Sequence, residues 1–265
     1  MRGTKGFLFS ILSTFTASLT AVIAKALVSD LNPLLLNAVI YTSAFLLSFP
    51  YLFLKNSKPR FTSRTLLSGI SLSLYGALLY YSFLTIKASV GGLAISIFPV
   101  ITSILASLLY KERLGRREII ALALSASAIA LVSSVSNPAG VLLALLSSLF
   151  LSIYTLLLKD SSVETVSSVL LGSSLASWIF VVMSGAPLNA SSLLAVPLGA
   201  LSILGTALWI EAVEAIGPSR ASLGALSYPF FVLSLSILLL KESVVLSEII
   251  AYSLAFLSLF LVLLR

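Results

Sequence analysis

Of 265 residues, 59% are hydrophobic and only 9% are charged, against about 25% charged in an ordinary soluble domain, and the mean hydropathy is +1.14. Such a chain reads as a multi-pass membrane protein with little length left for a soluble domain. It contains no cysteine and no histidine, which excludes disulfides, thiol or Ser-His-Asp catalysis, histidine metal ligation and a histidine proton relay, and no metal or cofactor is implied.

A bilayer-crossing helix needs about 20 apolar residues. Apolar runs bounded by charged and turn residues predict ten spans, at 6–28, 34–54, 66–86, 89–110, 117–135, 139–158, 165–184, 193–215, 219–240 and 245–264. The breaks include Ser29-Asp30-Leu31-Asn32-Pro33, the stretches 55–64 and 111–117, Ser136-Asn137-Pro138 and Ser184-Gly185-Ala186-Pro187. Runs this long lack the alternation of a barrel strand, so all ten are predicted as helices. Arg2 and Lys5 before the first span, with Ala24-Lys25-Ala26 at its end, resemble a signal peptide. Nine further spans follow at once, and the first is therefore read as an uncleaved helix.

In chain order, the first span places Thr14, Ser18, Ala21 and Lys25 on one face. The sixth repeats that spacing with Ser148, Ser152, Thr155 and Lys159. A hydroxyl stripe in lipid serves either close helix packing or a wet cavity. Lys25 is either an interfacial anchor or a cavity cation that attracts an anionic part of a solute. Beside the acids Asp160 and Glu164, Lys159 reads as a solvated loop charge. The third span brings Tyr80 and Tyr81, and the eighth Trp209, each an interfacial belt residue or a cavity residue.

Pro99 and Pro229 fall in mid-span in the fourth and ninth spans, where each removes the amide partner of the carbonyl four residues earlier, at Ile95 and Ala225. The matched kinks shape packing or form a hinge. Ser96, Ser227 and Tyr228, close before these prolines, are candidate cavity groups. Glu211 and Glu214 are the only carboxylates inside a span away from its ends. Burial raises a carboxylate pKa, so Glu211 is the candidate for coupling transport to protons, whereas Glu214 is near enough to the span end to be solvated. The pairs Lys111-Glu112 and Lys241-Glu242 read as solvated end charges.

The chain also repeats itself. Residues 76–121 lie without a gap on residues 206–251, which matches Pro99 with Pro229, Leu93 with Leu223, Lys111-Glu112 with Lys241-Glu242 and Glu118-Ile119-Ile120-Ala121 with Glu248-Ile249-Ile250-Ala251. Two copies of one membrane unit, 1–135 and 136–265, point to a transporter built from repeats. With a cytoplasmic amino terminus, thirteen of the sixteen cations face the cytoplasm and only Lys25, Lys87 and Lys241 face outward. Both termini are then cytoplasmic, and five spans per copy make the second enter the membrane upside down. The net charge of +7 lies in short loops beside apolar helices, which explains it by orientation and headgroups rather than by nucleic acid.

The segment Tyr80, Ala88, Gly92, Pro99 and Leu109-Tyr110-Lys111-Glu112-Arg113, with its copy Trp209, Pro218, Ser222, Pro229 and Lys241-Glu242, resembles the EamA-type repeat of the drug/metabolite transporter superfamily. The resemblance implies two inverted five-helix repeats, a central cavity lined by spans 1, 3, 4, 6, 8 and 9, and alternating access. It extends to carriers of amino acids, nucleosides, sugar phosphates, nucleotide sugars and drugs, and so leaves the solute open. The expected protein is an all-α, ten-span, monomeric carrier in the cell membrane, with a small-molecule substrate, coupled protons or other ions, and pivots at Pro99 and Pro229. The rival readings are a flippase for a lipid or lipid-linked sugar and an uncoupled uniporter. An intramembrane enzyme would need more reactive groups than Glu211 and Glu214.

Overall fold

The computed structural model describes residues 2–111, 115–133 and 136–263. Its α-helices are α1 (Arg2–Leu27), α2 (Pro33–Leu54), α3 (Ser63–Ser82), α4 (Ala88–Ile95), α5 (Phe98–Tyr110), α6 (Arg116–Ser133), α7 (Pro138–Leu157), α8 (Val166–Ser184), α9 (Val196–Ile216), α10 (Pro218–Gly224), α11 (Tyr228–Leu235) and α12 (Leu246–Leu263). No strand occurs among the described residues. The starts follow from local chemistry: the Asn32 side chain accepts from the Leu34 and Leu35 amides, and the Asn137 side chain from those of Ala139 and Gly140. Pro33 and Pro138 stand at the first helical position, where a missing amide costs nothing. At the other end, Lys111 (φ 56°) and Lys241 (φ 54°) close their helices in the left-handed conformation at equivalent places in the two copies.

By length and apolar composition, seven helical stretches are able to cross a bilayer: Gly3–Leu27, Pro33–Leu54, Ala88–Tyr110, Pro138–Leu157, Val163–Ser184, Ala190–Ile216 and Pro218–Leu240. That is fewer than the ten expected. Nine of the 20 side chains of α3 bear hydroxyls, which dilutes its hydropathy. The apolar parts of α6 and α12 are the shorter runs Ile119–Leu131 and Leu246–Ser258.

The fourth and ninth spans differ from expectation as well. Neither is a kinked continuous helix. The first is interrupted at Ser96-Ile97, and the second by a 3-10 turn at Ala225–Ser227, with a π-helical end at Ser236–Leu240. Pro99 and Pro229 sit in the first turn of the following helices, α5 and α11, because that is where a residue lacking an N–H fits best.

The halves are inverted. Helices in the same place in each copy run antiparallel: on α2 and α8, Asn37 donates to Ser177 at 2.9 Å, Thr42 bonds Ser174 at 2.9 Å and Ser48 bonds Ser167 at 2.7 Å, one number rising as the other falls. On α6 and α12, Ser125 bonds Ser258 at 2.9 Å, and Ala128 shares a core cluster with Ala251. Swapped pairs match too. The α1 helix packs along α9, where Ser13 donates to the Gly205 carbonyl at 2.7 Å, and α7 packs along α3, where Arg64 donates to the Leu156 carbonyl at 3.3 Å. One end of this bundle, the basic end, carries Lys5, Lys55, Lys58, Arg60, Arg64, Lys111, Arg116, Arg117, Lys159 and Arg220. Lys25, Lys87 and Lys241 lie at the far end.

Small and hydroxylated residues hold α8 against α2 and α3. Ser73 bonds Ser177 at 2.7 Å, Thr65 donates to Ser168 at 2.7 Å, and the Trp178 indole donates to Thr42 at 2.8 Å. Where lipid tails are as apolar as leucine, close approach and hydrogen bonds between helices supply the association that hydrophobic burial supplies in water.

Candidate solute cavity

A cavity of about 110 Å³ lies inside the bundle. Its wall is built by Ser13, Thr14, Ala17, Thr20 and Ala21 of α1, Tyr41 of α2, and Leu72, Tyr75, Leu79 and Tyr80 of α3. Leu151 and Tyr154 come from α7, and Leu201, Ser202, Gly205, Thr206 and Trp209 from α9, with Ile95, Phe98, Ala225 and Tyr228 from the two helix breaks. The wall follows the internal repeat. Leu72 and Ser202, Tyr75 and Gly205, Leu79 and Trp209, Ile95 and Ala225, and Phe98 and Tyr228 are pairs 130 positions apart that both face the cavity. Ala17 and Leu151, and Thr20 and Tyr154, are pairs 134 apart that match the hydroxyl-stripe spacing of α1 and α7. The cavity therefore straddles the axis that relates the inverted halves.

Two wall residues, Ile95 and Ala225, stand four positions before Pro99 and Pro229, so the cavity borders both helix breaks. Each break is tied to the opposite half or its neighbour by a matching hydroxyl. Ser18 of α1 reaches the Tyr228 carbonyl at 3.5 Å, and Ser152 of α7 donates to the Phe98 carbonyl at 3.2 Å. The aromatic wall is ordered by contacts of its own: the Phe98 and Trp209 rings are 5.7 Å apart, the Trp209 indole donates to Thr155 at 3.1 Å, and the Tyr41 hydroxyl donates to the Leu72 carbonyl at 3.2 Å. The buried Tyr228 hydroxyl makes no hydrogen bond of acceptable geometry, although it stands beside the Tyr75 phenol.

Of the residues singled out from sequence, Thr14, Ala21, Tyr80, Trp209 and Tyr228 lie on this wall, with Ile95 and Ala225 before the prolines. The others lie elsewhere. Ser18 and Ser152 are turned to the helix breaks, Ser96 donates to the Leu93 carbonyl at 2.6 Å, and Ser227 donates to the Gly224 carbonyl at 2.8 Å. Helical hydroxyls bond the preceding turn when nothing stronger is offered, which is why these serines are spent locally. Tyr81 faces the cluster around Val181 and Trp178.

The charged candidates are also engaged outside the cavity. Lys25 donates to the carbonyls of Phe83 and, at 2.9 Å, Ile86, where its charge suits the carboxyl end of α3. Glu211 pairs with Lys55 at 3.9 Å near the basic end, and Glu214 is exposed. Lys159 sits 3.6 Å from the centroid of the Tyr110 ring. Tyr41, Tyr75, Phe98 and Tyr154 were not singled out from sequence. For Phe98 a signal existed, since it precedes Pro99 as Tyr228 precedes Pro229.

Both ends of the cavity are bridged between the halves. At the basic end Arg64 donates to the Tyr110 hydroxyl at 3.1 Å and pairs with Asp160 at 3.7 Å. At the far end Glu242 accepts from the Ala88 amide at 2.7 Å and the Ser89 amide at 3.1 Å, so a second-half carboxylate caps α4 of the first half. Lys87 joins this end to Glu248 at 3.2 Å, and Tyr252 donates to the Ser89 carbonyl at 2.9 Å. Glu242 is thus a cap rather than a solvated end charge, and its counterpart Glu112 lies outside the described residues. Glu242→Ala is expected to lower stability by about 1 kcal/mol, the usual cost of a lost helix cap. Thermal unfolding of the purified protein reads it, and an unchanged midpoint would show that the cap carries no weight.

The sequence profile of the EamA-like transporter family matches twice, over residues 4–134 and 138–264. A solved structure, titled only as the crystal structure of a protein, superposes with a TM-score of 0.78 at 18% identity, covering 100% of this chain and 97% of its own. At that identity the likeness is one of fold alone. No curated protein matches the sequence.

Proposed function

The chain belongs to the EamA-like transporter family, whose members are transporters rather than enzymes, and from that premise we propose that it carries a small solute across the cell membrane by alternating access. All ten helical segments cross the bilayer in this reading, α6 and α12 pairing along each other through Ser125 and Ser258 with apolar outer faces left for lipid. Residues 1–135 and 136–265 are the two repeats, a single chain forms the whole pathway, and the basic end with both termini faces the cytoplasm, as the cation bias favours.

One observation carries the proposal: the cavity wall is made of paired positions from inverted halves. Two halves related in this way can exchange conformations, which turns an opening at one face into an opening at the other around the same site. The breaks before Pro99 and Pro229 are the natural pivots. No carboxylate is among the described residues that line the cavity, and Glu211 is occupied by Lys55. This favours the uncoupled alternative over proton coupling through the solute site.

Labelled-solute flux into proteoliposomes, with and without a pH gradient, tests the reading. Saturable flux with a rate indifferent to the gradient is expected, and a rate that follows the gradient would return coupling to the mechanism. The double variant Pro99→Ala/Pro229→Ala is expected to slow flux about tenfold, as healing the breaks removes the pivots, with solute affinity little changed. Normal flux in that variant would dismiss the pivots.

A further inference from the structure

We infer that the cavity selects a planar, net-uncharged aromatic or heteroaromatic solute with hydrogen-bonding edge groups, and turns away carboxylates and phosphates. This names the solute class of the site above and rests on that transporter reading.

The wall sets its terms by what it offers. Five of the chain's nine tyrosines face the void, together with Phe98 and Trp209. Aromatic walls bind flat apolar faces well, with ring contacts worth about 0.5–1.5 kcal/mol each beyond area burial. The polar side chains between them are the hydroxyls of Ser13, Thr14, Thr20, Ser202 and Thr206 and those of the tyrosines. Ser13, Thr14, Thr20 and Tyr41 give their protons to the Gly205, Ser10, Thr16 and Leu72 carbonyls, so toward a solute these hydroxyls are acceptors that suit an N–H or O–H edge. The Tyr228 hydroxyl, buried and without a well-formed bond, is the clearest place for a solute edge group to dock.

Charge decides the rest. No charged side chain is among the described residues lining the cavity. The one cation that sequence offered to it, Lys25, is committed elsewhere, to the Phe83 and Ile86 carbonyls. An anion entering would give up its water for no counter-charge, which is the costliest transfer a buried site can demand. A cation would lack a carboxylate partner and would have the ring faces alone.

The test uses three probes of one shape and three charges, benzamide, benzoate and benzamidinium, with the purified full chain in nanodiscs. The chain has two tryptophans, and Trp178 lies outside the cavity, so Trp178→Phe leaves Trp209 as a fluorescence reporter on the wall. Benzamide is expected to change Trp209 emission saturably and to raise the unfolding midpoint, with benzoate and benzamidinium each at least tenfold weaker. Tyr228→Phe, which keeps the ring and removes the hydroxyl, is expected to weaken benzamide about tenfold while leaving the unliganded midpoint in place. Equal or tighter binding of benzoate or benzamidinium, or no binding by any of the three, would overturn the inference. The carrier reading fails separately: preloaded proteoliposomes that show counterflow of an anionic solute keep the carrier and discard this selectivity, and liposomes that show none with any solute discard both.

Discussion

Gly172→Ala is expected to lower the unfolding midpoint of the detergent-purified protein by several degrees, with a cost of about 1–3 kcal/mol or more from overpacking. A Cβ at Gly172 would run into the Leu66 carbonyl oxygen of α3, with the carbonyl carbon at 3.0 Å. A Cβ at Gly69, on the facing surface, would meet the Val169 carbonyl oxygen, with the Ser173 amide nitrogen at 2.8 Å. These obstacles are backbone atoms of two helices. No side-chain rotation relieves them, and α3 and α8 must separate. Separation would also stretch the Ser173 bond to the Gly69 carbonyl, now 2.9 Å, and the Thr65–Ser168 bond. Because both glycines serve one crossing, the Gly69→Ala/Gly172→Ala pair is expected to cost less than the sum of the singles. Gly3→Ala is the control, since nothing lies within 4 Å of a Cβ there, and it should leave the midpoint unchanged or slightly raised. A Gly172→Ala protein as stable as the parent would contradict the close crossing of the two helices.

Removing Trp209 is expected to have the largest effect on flux. The side chain is 6% exposed, meets the Phe98 ring at a tilt and donates to Thr155 of α7, so it joins α9, α5 and α7 at the cavity wall. Trp209→Ala should abolish solute flux, and it also opens a void costing about 3–5 kcal/mol. Trp209→Phe separates wall from fold. It keeps an aromatic surface, gives up the indole bond to Thr155, and is expected to remain folded while initial flux falls about tenfold. Parental flux in the phenylalanine variant would show that the indole group matters only for packing.

The helices, the repeat and the inversion were legible in the sequence because each leaves a one-dimensional mark. Asn-Pro pairs start α2 and α7, matched lysines end the fourth and ninth segments, and the 130-residue offset aligns the two prolines. The helix breaks were half legible. Proline announces the interruption, but a kink and a fresh helix start look alike until the backbone on either side is known.

The cavity was the least legible part, for two physical reasons. First, polar residues draw the eye in an apolar helix, yet Ser96 and Ser227 are satisfied by their own preceding turns. Lys25 finds a helix end, and Glu211 finds Lys55 from another helix, a pairing over 156 positions that no local pattern carries. Second, a helix that is apolar all round does not disclose which face meets a void. Tyr41, Tyr75 and Tyr154 therefore looked like any other buried tyrosine, and Tyr81, beside the wall residue Tyr80, points into a packed cluster instead.

Alternating access requires that the two ends of the bundle open in turn. The chain has no cysteine, so spin labels can be placed cleanly at Asn56 and Glu214 to span the basic end, and at Leu84 and Ser243 to span the far end, all four exposed. Distances measured by electron spin resonance in nanodiscs, with and without a transported solute, should move in opposite directions, one pair widening as the other narrows. Two pairs that stay fixed under solute, or that widen together as in a pore, would contradict a carrier built from two inverted halves.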